Sequence, residues 1–534
     1  MKHSKKSWLG FLSIILMVAF TAAGCSHASG AATKPPTSTD KQEDSHNSEK
    51  TEAPIVITWA NGINPPENDN NDVQQQIEKK FNVKIKNIRL ERSTWKEKFN
   101  VLLASGQIPD IFPVDGDMTD MATWADQGLI ASISREEIEK LMPNYAKHLN
   151  AEDPEAWEVG LYNGKYWGIP KEWPLGNDGL LPGYNENWLK AIGYSEPPRT
   201  LDQLHDVLTK FVNDDPDGNG RKDTYGMTAR GKLPVQMFTS IFSAYGVSPY
   251  LFINNDDGSG IVYGGITEQT RSALKTLNQW YKEGLIDPEF ITADNLQINE
   301  KFVNRKIGYV DNMGWSGYYK ESGYITRPAL EKGIQVVAGT PLIGPAGKPY
   351  AFSYGSRQAP LMLGVHLEED GKKRQKIQQI LEWVSTDPEG WLLTTQGVEG
   401  VNYDMVDGKA VARTGTEAET NKTGAGSFYN PLAWVNQEFT AKYSTKQDAL
   451  ELEEKINRGY IPLRDVLQAA VLESKTQYWP HLQSMQDTYL IKAIIGEENT
   501  DSDFDTFKAQ WLKSGGQALT DEVNQVYKER SAQN

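Results

Sequence analysis

Residues 213–226 read Asn-Asp-Asp-Pro-Asp-Gly-Asn-Gly-Arg-Lys-Asp-Thr-Tyr-Gly. Oxygen-bearing side chains recur at alternate positions, Asp215, Asp217 and Asn219, and again at Asp223. Gly220 falls where such a loop must turn sharply, and Arg221 would offer its backbone carbonyl. Carboxylates at alternate positions converge when a loop curls round a hard cation, and Ca²⁺ takes six to eight such oxygens. The pattern therefore predicts a structural Ca²⁺ loop. It departs from the usual one at the twelfth position, which is Gly226 instead of Glu. A bidentate ligand would have to come from Asp223, from Thr224 or from elsewhere in the chain. The competing reading is an Asp/Asn/Gly-rich surface turn without metal. Every ligand lies in one closed local loop, so the ion would brace the fold and do no chemistry.

A second set of residues suits a different task. Sugar rings present apolar C–H faces edged by hydroxyls, which flat aromatics and forked polar groups match. Several of the 15 tryptophans sit among polar loop residues: Trp59 before Asn61, Trp173 after Lys171 and Glu172, Trp315 after Asp311 and Asn312, and Trp434 after Asn430. These, with Asn61, Asp115 and Asp117, are the expected ligand contacts. Packing competes for each tryptophan, and helix capping competes for the two aspartates. Arg230 and Arg357 are of interest only for a glycan carrying uronic acids. Trp95, Trp124, Trp188, Trp280, Trp383 and Trp511 fall at helical apolar spacing and are expected in cores.

The elements that must hold these residues follow from the composition. The 534-residue chain is long enough for two to four domains. Its 55 basic and 71 acidic residues give a net charge of −16, which argues against nucleic acid. One cysteine excludes an internal disulfide, and seven scattered histidines make a zinc site unexpected. No Gly-x-Ser-x-Gly elbow, His-Glu-x-x-His helix or phosphate loop occurs, and no carboxylate pair is singled out for glycoside cleavage. The expectation is a binding protein and not an enzyme.

Lys2, Lys5 and Lys6 precede an apolar run over 8–20, too short for a comfortable membrane span. The run ends in Ala22-Ala23-Gly24-Cys25, which resembles the lipobox of bacterial lipoproteins. The resemblance implies acylation of Cys25, palmitate among the chains, and removal of 1–24, which would take the charge from −16 to −19. An ordinary secretory signal is the alternative. Residues 25–53 contain no aromatic or large aliphatic side chain, so they cannot offset their ordering entropy and read as a flexible tether. Beyond Pro54, strands over 55–58, 83–90 and 109–112 alternate with helices over 72–81 and 94–105. Further helices are expected over 201–212, 268–283 and 375–384, and strands over 307–310 and 335–337. From about 436 onward the chain reads almost wholly helical. Alternation of this kind predicts an open α/β sheet, with ligands beyond the carboxyl ends of its strands.

Leu102-Leu-Ala-Ser-Gly-Gln-Ile-Pro-Asp110-Ile-Phe112 resembles a segment of bacterial extracellular solute-binding proteins that serve ABC importers. So do Asn163-Gly-Lys-Tyr-Trp-Gly-Ile-Pro170, and Phe302-Val-Asn-Arg-Lys-Ile-Gly-Tyr-Val310 followed by Trp315, the latter as in maltose-binding protein. Pro388-Glu-Gly-Trp391 with Gly397-Val-Glu-Gly400 and Tyr403, and the ending from Ile494-Ile-Gly496 through Trp511 to Tyr527, are similar to the larger lipoprotein subgroup. The resemblance covers 54–534. It implies a two-lobed periplasmic-binding-protein fold of the second type with a mostly helical C-terminal part. Lobe one would hold 54–170 and 339–390, and lobe two 171–338 and 391–534. It also implies an oligosaccharide ligand stacked on Trp315, a permease partner, a monomer and lipid anchorage on the outer face of a Gram-positive cell membrane. The alginate-oligosaccharide-binding members carry a similar loop holding a structural ion. A secreted carbohydrate-active enzyme, a receptor for peptides or other solutes, and a purely structural surface lipoprotein are the alternatives.

Overall fold

Pro54 starts the first strand, and the β-branched run behind it continues further than the sequence suggests. Strand β1 spans Ile55–Asn61 and buries Ile57 and Trp59 completely. It pairs in parallel with β2, Val83–Arg89, through to Asn61 opposite Arg89. Helix α1, Asp72–Phe81, lies between them. The Asn71 side chain caps its first turn by accepting from the Gln74 N–H, and Asn82 ends it in the left-handed conformation. Helix α2, Trp95–Ala104, leads to β3, Ile111–Phe112, on the other side of β1. The computed structural model describes residues 53–90, 94–112, 118–255, 258, 260–413, 420–444, 446–468 and 470–531. Cys25, the leader and nearly all of the tether lie outside these residues.

Two sheets organise the chain. The first has the order β2, β1, β3, Arg357–Leu363, Ile169–Glu172, with the last two strands antiparallel to their neighbours. The second has three antiparallel strands, Tyr309–Met313, Leu181–Asn185 and Val336–Ala338. Each sheet has its own core. Ile57, Trp59, Ile111, Leu361 and Leu381 fill the first. Around the second, Trp188, Leu208, Phe211, Leu277 and Trp280 pack with Leu490, Phe507 and Trp511 of the C-terminal helices. Of the tryptophans expected in cores, Trp124, Trp188, Trp280 and Trp511 are buried, and Trp95 and Trp383 are partly so. Among the described residues no helix is long and apolar enough to cross a membrane.

Two further segments have their own packing. Leu393, Phe428, Tyr429, Leu432 and Val435 pack with the first sheet, while Trp391, Ala433, Phe439 and Tyr443 form a small cluster of their own. Tyr429 lies edge-on to Trp59 of β1. Leu342 sits in the second core, and Ala351 in the cluster that holds Trp315. The C-terminal part is helical as expected, with Gln447–Asn457, Glu473–Ile495, Phe504–Trp511 and Gln517–Ser531, broken by the strand Ile461–Leu463.

Candidate functional site

Two of the connections between the lobes run side by side. Residues 173–180 join the edge strand Ile169–Glu172 to the central strand Leu181–Asn185, and 353–356 join Tyr350–Phe352 to Arg357–Leu363. They are tied to each other. Trp173 N–H donates to Ser356 O at 2.7 Å and Gly355 N–H to Gly176 O at 2.9 Å. The Ser353 hydroxyl also donates to Gly176 O at 2.9 Å. A Cβ at Gly176 would lie 2.2 Å from Gly355 O, so no other residue allows this approach. Gly355 takes a φ of +78°. The strand Ile461–Leu463 lies parallel to Tyr350–Phe352 and accepts from Ser353 N–H at 2.9 Å. This braid is a hinge of a few residues between two rigid bodies.

Flat rings and polar groups gather beside it. Trp173 enters the first crossing half-buried. Trp315 starts a single helical turn, Trp315–Tyr318, straight after the strand Tyr309–Met313, and is 9% exposed. Its indole N–H faces Asp178 without closing a conventional hydrogen bond. Asp178 accepts from the Asn457 amide at 2.6 Å. Burial, then the Glu453 charge, push its carboxyl up to about 7, while Asn457 and Trp315 pull the other way. Tyr354 projects from the second crossing, 37% exposed and edge-on to Phe352. Its hydroxyl accepts from the Gln236 amide, whose oxygen in turn accepts from Arg230. Desolvation raises the Tyr354 hydroxyl, Gln236 and Arg230 oppose this, and Tyr324 adds to it.

The expected contacts divide. Trp173 opens the first crossing, and Trp315 lies in the cluster that Leu175 of the same crossing packs against. Trp59 and Asn61 do not serve as contacts: both are fully buried and both donate to Phe428 O, at 3.0 and 2.9 Å. The Asn61 oxygen accepts from Ile63 N–H, so the residue clamps the 424–429 segment over the end of β1. Trp434 is 38% exposed, on a short turn packed on the helix Pro143–Glu152 and the strand Ile169–Glu172. Asp115 and Asp117 lie outside the described residues. Arg357 is committed to Asp153 at 2.7 Å and to Glu155, so it cannot serve an acidic ligand. Tyr354, Gln236 and Tyr324 were not signalled by the sequence. The paired Gly176 and Gly355 turns, one following Trp173, are the pattern that could have pointed to them.

The 213–226 loop curls as its spacing predicts. Asp215, at a φ of +47°, accepts from Asn219 N–H at 3.1 Å and Gly220 N–H at 2.8 Å. The Asn219 amide nitrogen donates to Asp217 at 2.7 Å and to Asp223 at 3.1 Å. Lys306 pairs with the other oxygen of Asp223 at 2.6 Å. The Thr224 hydroxyl donates to Phe211 O at 2.8 Å, in the last turn of the helix Leu201–Asn213. Desolvation, then the neighbouring Asp215 carboxylate, raise Asp217 above its ordinary value. Among the described residues no three His, Cys, Asp or Glu side chains form a set that could hold a metal. In this loop the Asn219 amide sits between the carboxylates.

Two lobes, each with its own sheet and core, joined by a short braided hinge lined with aromatics, define a solute-binding protein. The model of the bacterial extracellular solute-binding protein family matches residues 73–360, more than half of the chain, and the chain belongs to that family. Its members bind and do not catalyse. It is 25% identical to lipoprotein LipO of Bacillus subtilis (strain 168), over 98% of both chains. It is 22% identical to the polygalacturonan/rhamnogalacturonan-binding protein YtcQ of the same organism, over 85% of this chain and 88% of that one. The fold matches that of the S. pneumoniae ABC-transporter substrate-binding protein FusA in complex with kestose. The TM-score is 0.69 at 19% identity, over 90% of this chain and 100% of that one. FusA has also been solved as an EF-hand mutant with fructo-nystose.

Proposed function

We propose that this protein is the oligosaccharide receptor of an ABC importer, held by a lipidated Cys25 on the outer face of the membrane and presenting its closed form to a permease. The observation that carries the reading is the group beside the paired crossings: the half-buried Trp173 and the exposed Tyr354 offer rings, and Gln236 and Arg230 supply polar groups next to Tyr354. Ligand bound between lobes favours the closed arrangement, and no covalent step is needed. The carbohydrate ligands named for YtcQ and FusA support the same class of solute.

A calcium ion would be held by Asp215, Asp217, Asn219 and Asp223 with the Arg221 carbonyl, not by Thr224. The convergence of Asp215, Asp217 and Asp223 on the Asn219 side chain and backbone supports this, because it brings three carboxylates round one loop. The test is thermal unfolding of the chain from residue 26 onward against neutral and acidic oligosaccharides and peptides. A ligand at 100 times its Kd adds about 2.7 kcal/mol, a shift of several degrees. Stabilisation by a glycan recovered intact supports the reading. A shift with peptides alone, or cleavage of the glycan, overturns it.

A further inference from the structure

Arg230 is a buried cation without a counter-charge. It is 6% exposed, yet among the described residues no carboxylate comes within ion-pair distance of it. One terminal nitrogen donates to the Gln236 oxygen. Its Nε is buried with no partner at all. The other buried or half-buried arginines of the fold are matched: Arg357 by Asp153 and Glu155, Arg374 by Glu137, Arg271 by Asp505 and Glu268. Taking a guanidinium out of water without a partner is costly, and folds that retain one give it an anion. The backbone holds it firmly in place. Gly231 N–H donates to Phe290 O and Leu233 N–H to Arg230 O, both at 2.9 Å. A Cβ at Gly231 would meet Ile291 O at 2.2 Å, which fixes the chain one residue on.

What Arg230 addresses follows from its neighbours. It links through Gln236 to the Tyr354 hydroxyl on the hinge, and its charge lowers that hydroxyl against the desolvation that raises it. The cation thus belongs to the ligand-facing group and not to the outer surface. A planar fork of N–H donors matches the two oxygens of a carboxylate or the oxygens of a sulfate ester. Building on the receptor reading, we propose that Arg230 is a subsite for an anionic substituent, so that the ligand of this cleft is an acidic oligosaccharide. Gln236 holds the guanidinium ready while Tyr354 supplies the adjoining ring face.

The probes are uronate trimers and tetramers, the same oligomers with carboxyls reduced to alcohols, and sulfated galactan oligosaccharides, titrated calorimetrically against wild type and Arg230→Met. At least tenfold preference for an acidic oligomer over its reduced form is expected, falling as salt rises. Arg230→Met should abolish that preference, lowering acidic-oligomer binding at least tenfold more than it lowers binding of the reduced oligomer. The free variant should melt no lower than wild type, since an unpaired buried charge is removed. Preference for sulfated over carboxylated probes keeps the anion subsite and changes its source. Equal or better binding of the reduced oligomers, or equal loss of both by the variant, overturns this proposal alone. A free variant that melts well below wild type assigns Arg230 a structural role, which also overturns it. If Arg230→Met does not fold, Arg230→Lys, which keeps charge but not the fork, should lower acidic binding selectively. Binding of no oligosaccharide at all overturns the receptor reading as well.

Discussion

Glu172 ends the strand that leads into the hinge, and it is 1% exposed. Burial, then the Asp153 charge, push its carboxyl from 4.5 up to about 8. The Arg357 that could have offset this is shared with Asp153 and Glu155. Between the two values the native state holds a proton that the unfolded chain has released, so stability falls as pH rises through that window and is undiminished below 4.5. At about 1.4 kcal/mol per unit, the cost is under about 1 kcal/mol at pH 5 and about 3 kcal/mol at pH 7, as an upper bound for a group coupled to its neighbours. Glu172→Gln mimics the protonated side chain and can still donate to Asp153. The variant should therefore gain little on wild type at pH 5 and most of that amount by pH 8. Melting curves of both proteins at pH 5, 6, 7 and 8 test this. A gap that does not grow with pH, or a variant less stable throughout, refutes the argument.

Gly176→Ala forces a methyl into the Gly355 carbonyl and breaks the two hydrogen bonds that the Gly176 carbonyl accepts; overpacking and those bonds together suggest a loss of about 3 kcal/mol, read as a lower melting temperature with weakened ligand closure. Trp173→Ala should weaken oligosaccharide binding at least tenfold with a small change in melting temperature. Trp59→Ala should do the reverse, costing about 3–5 kcal/mol of stability and leaving the Kd of the folded protein unchanged. Chelation by EDTA should lower the melting temperature and added Ca²⁺ restore it, and Asp217→Asn should remove the response. An unchanged melting curve would leave the 213–226 loop as a metal-free turn.

Local periodicity made the first half of lobe one legible: the helix expected over 72–81 is α1, and the strands on either side are β1 and β2. What failed depended on partners far along the chain. Trp59 and Asn61 looked like loop residues because nothing near them shows that β2 keeps pairing as far as Arg89, or that Phe428 arrives 367 residues later to take both side chains. Arg357 looked free because Asp153 lies 204 residues away in sequence. The loop at 213–226 was legible because its contacts are local, apart from Lys306 and the turn of Thr224 back onto Phe211. Phe428 and Tyr429 likewise carry no local mark of the sheet they cover.

The pairing of Gly176 with Gly355 makes the hinge a fulcrum only a few residues long. Rotation about so short an axis displaces atoms in proportion to their distance from it. Side chains beside the fulcrum, such as Trp173 and Tyr354, would move little between open and closed jaws, while groups at the rim would swing through the whole arc. On the proposed reading, capture and commitment would be separated along the length of the guest, its near end held first and its far end sensed last.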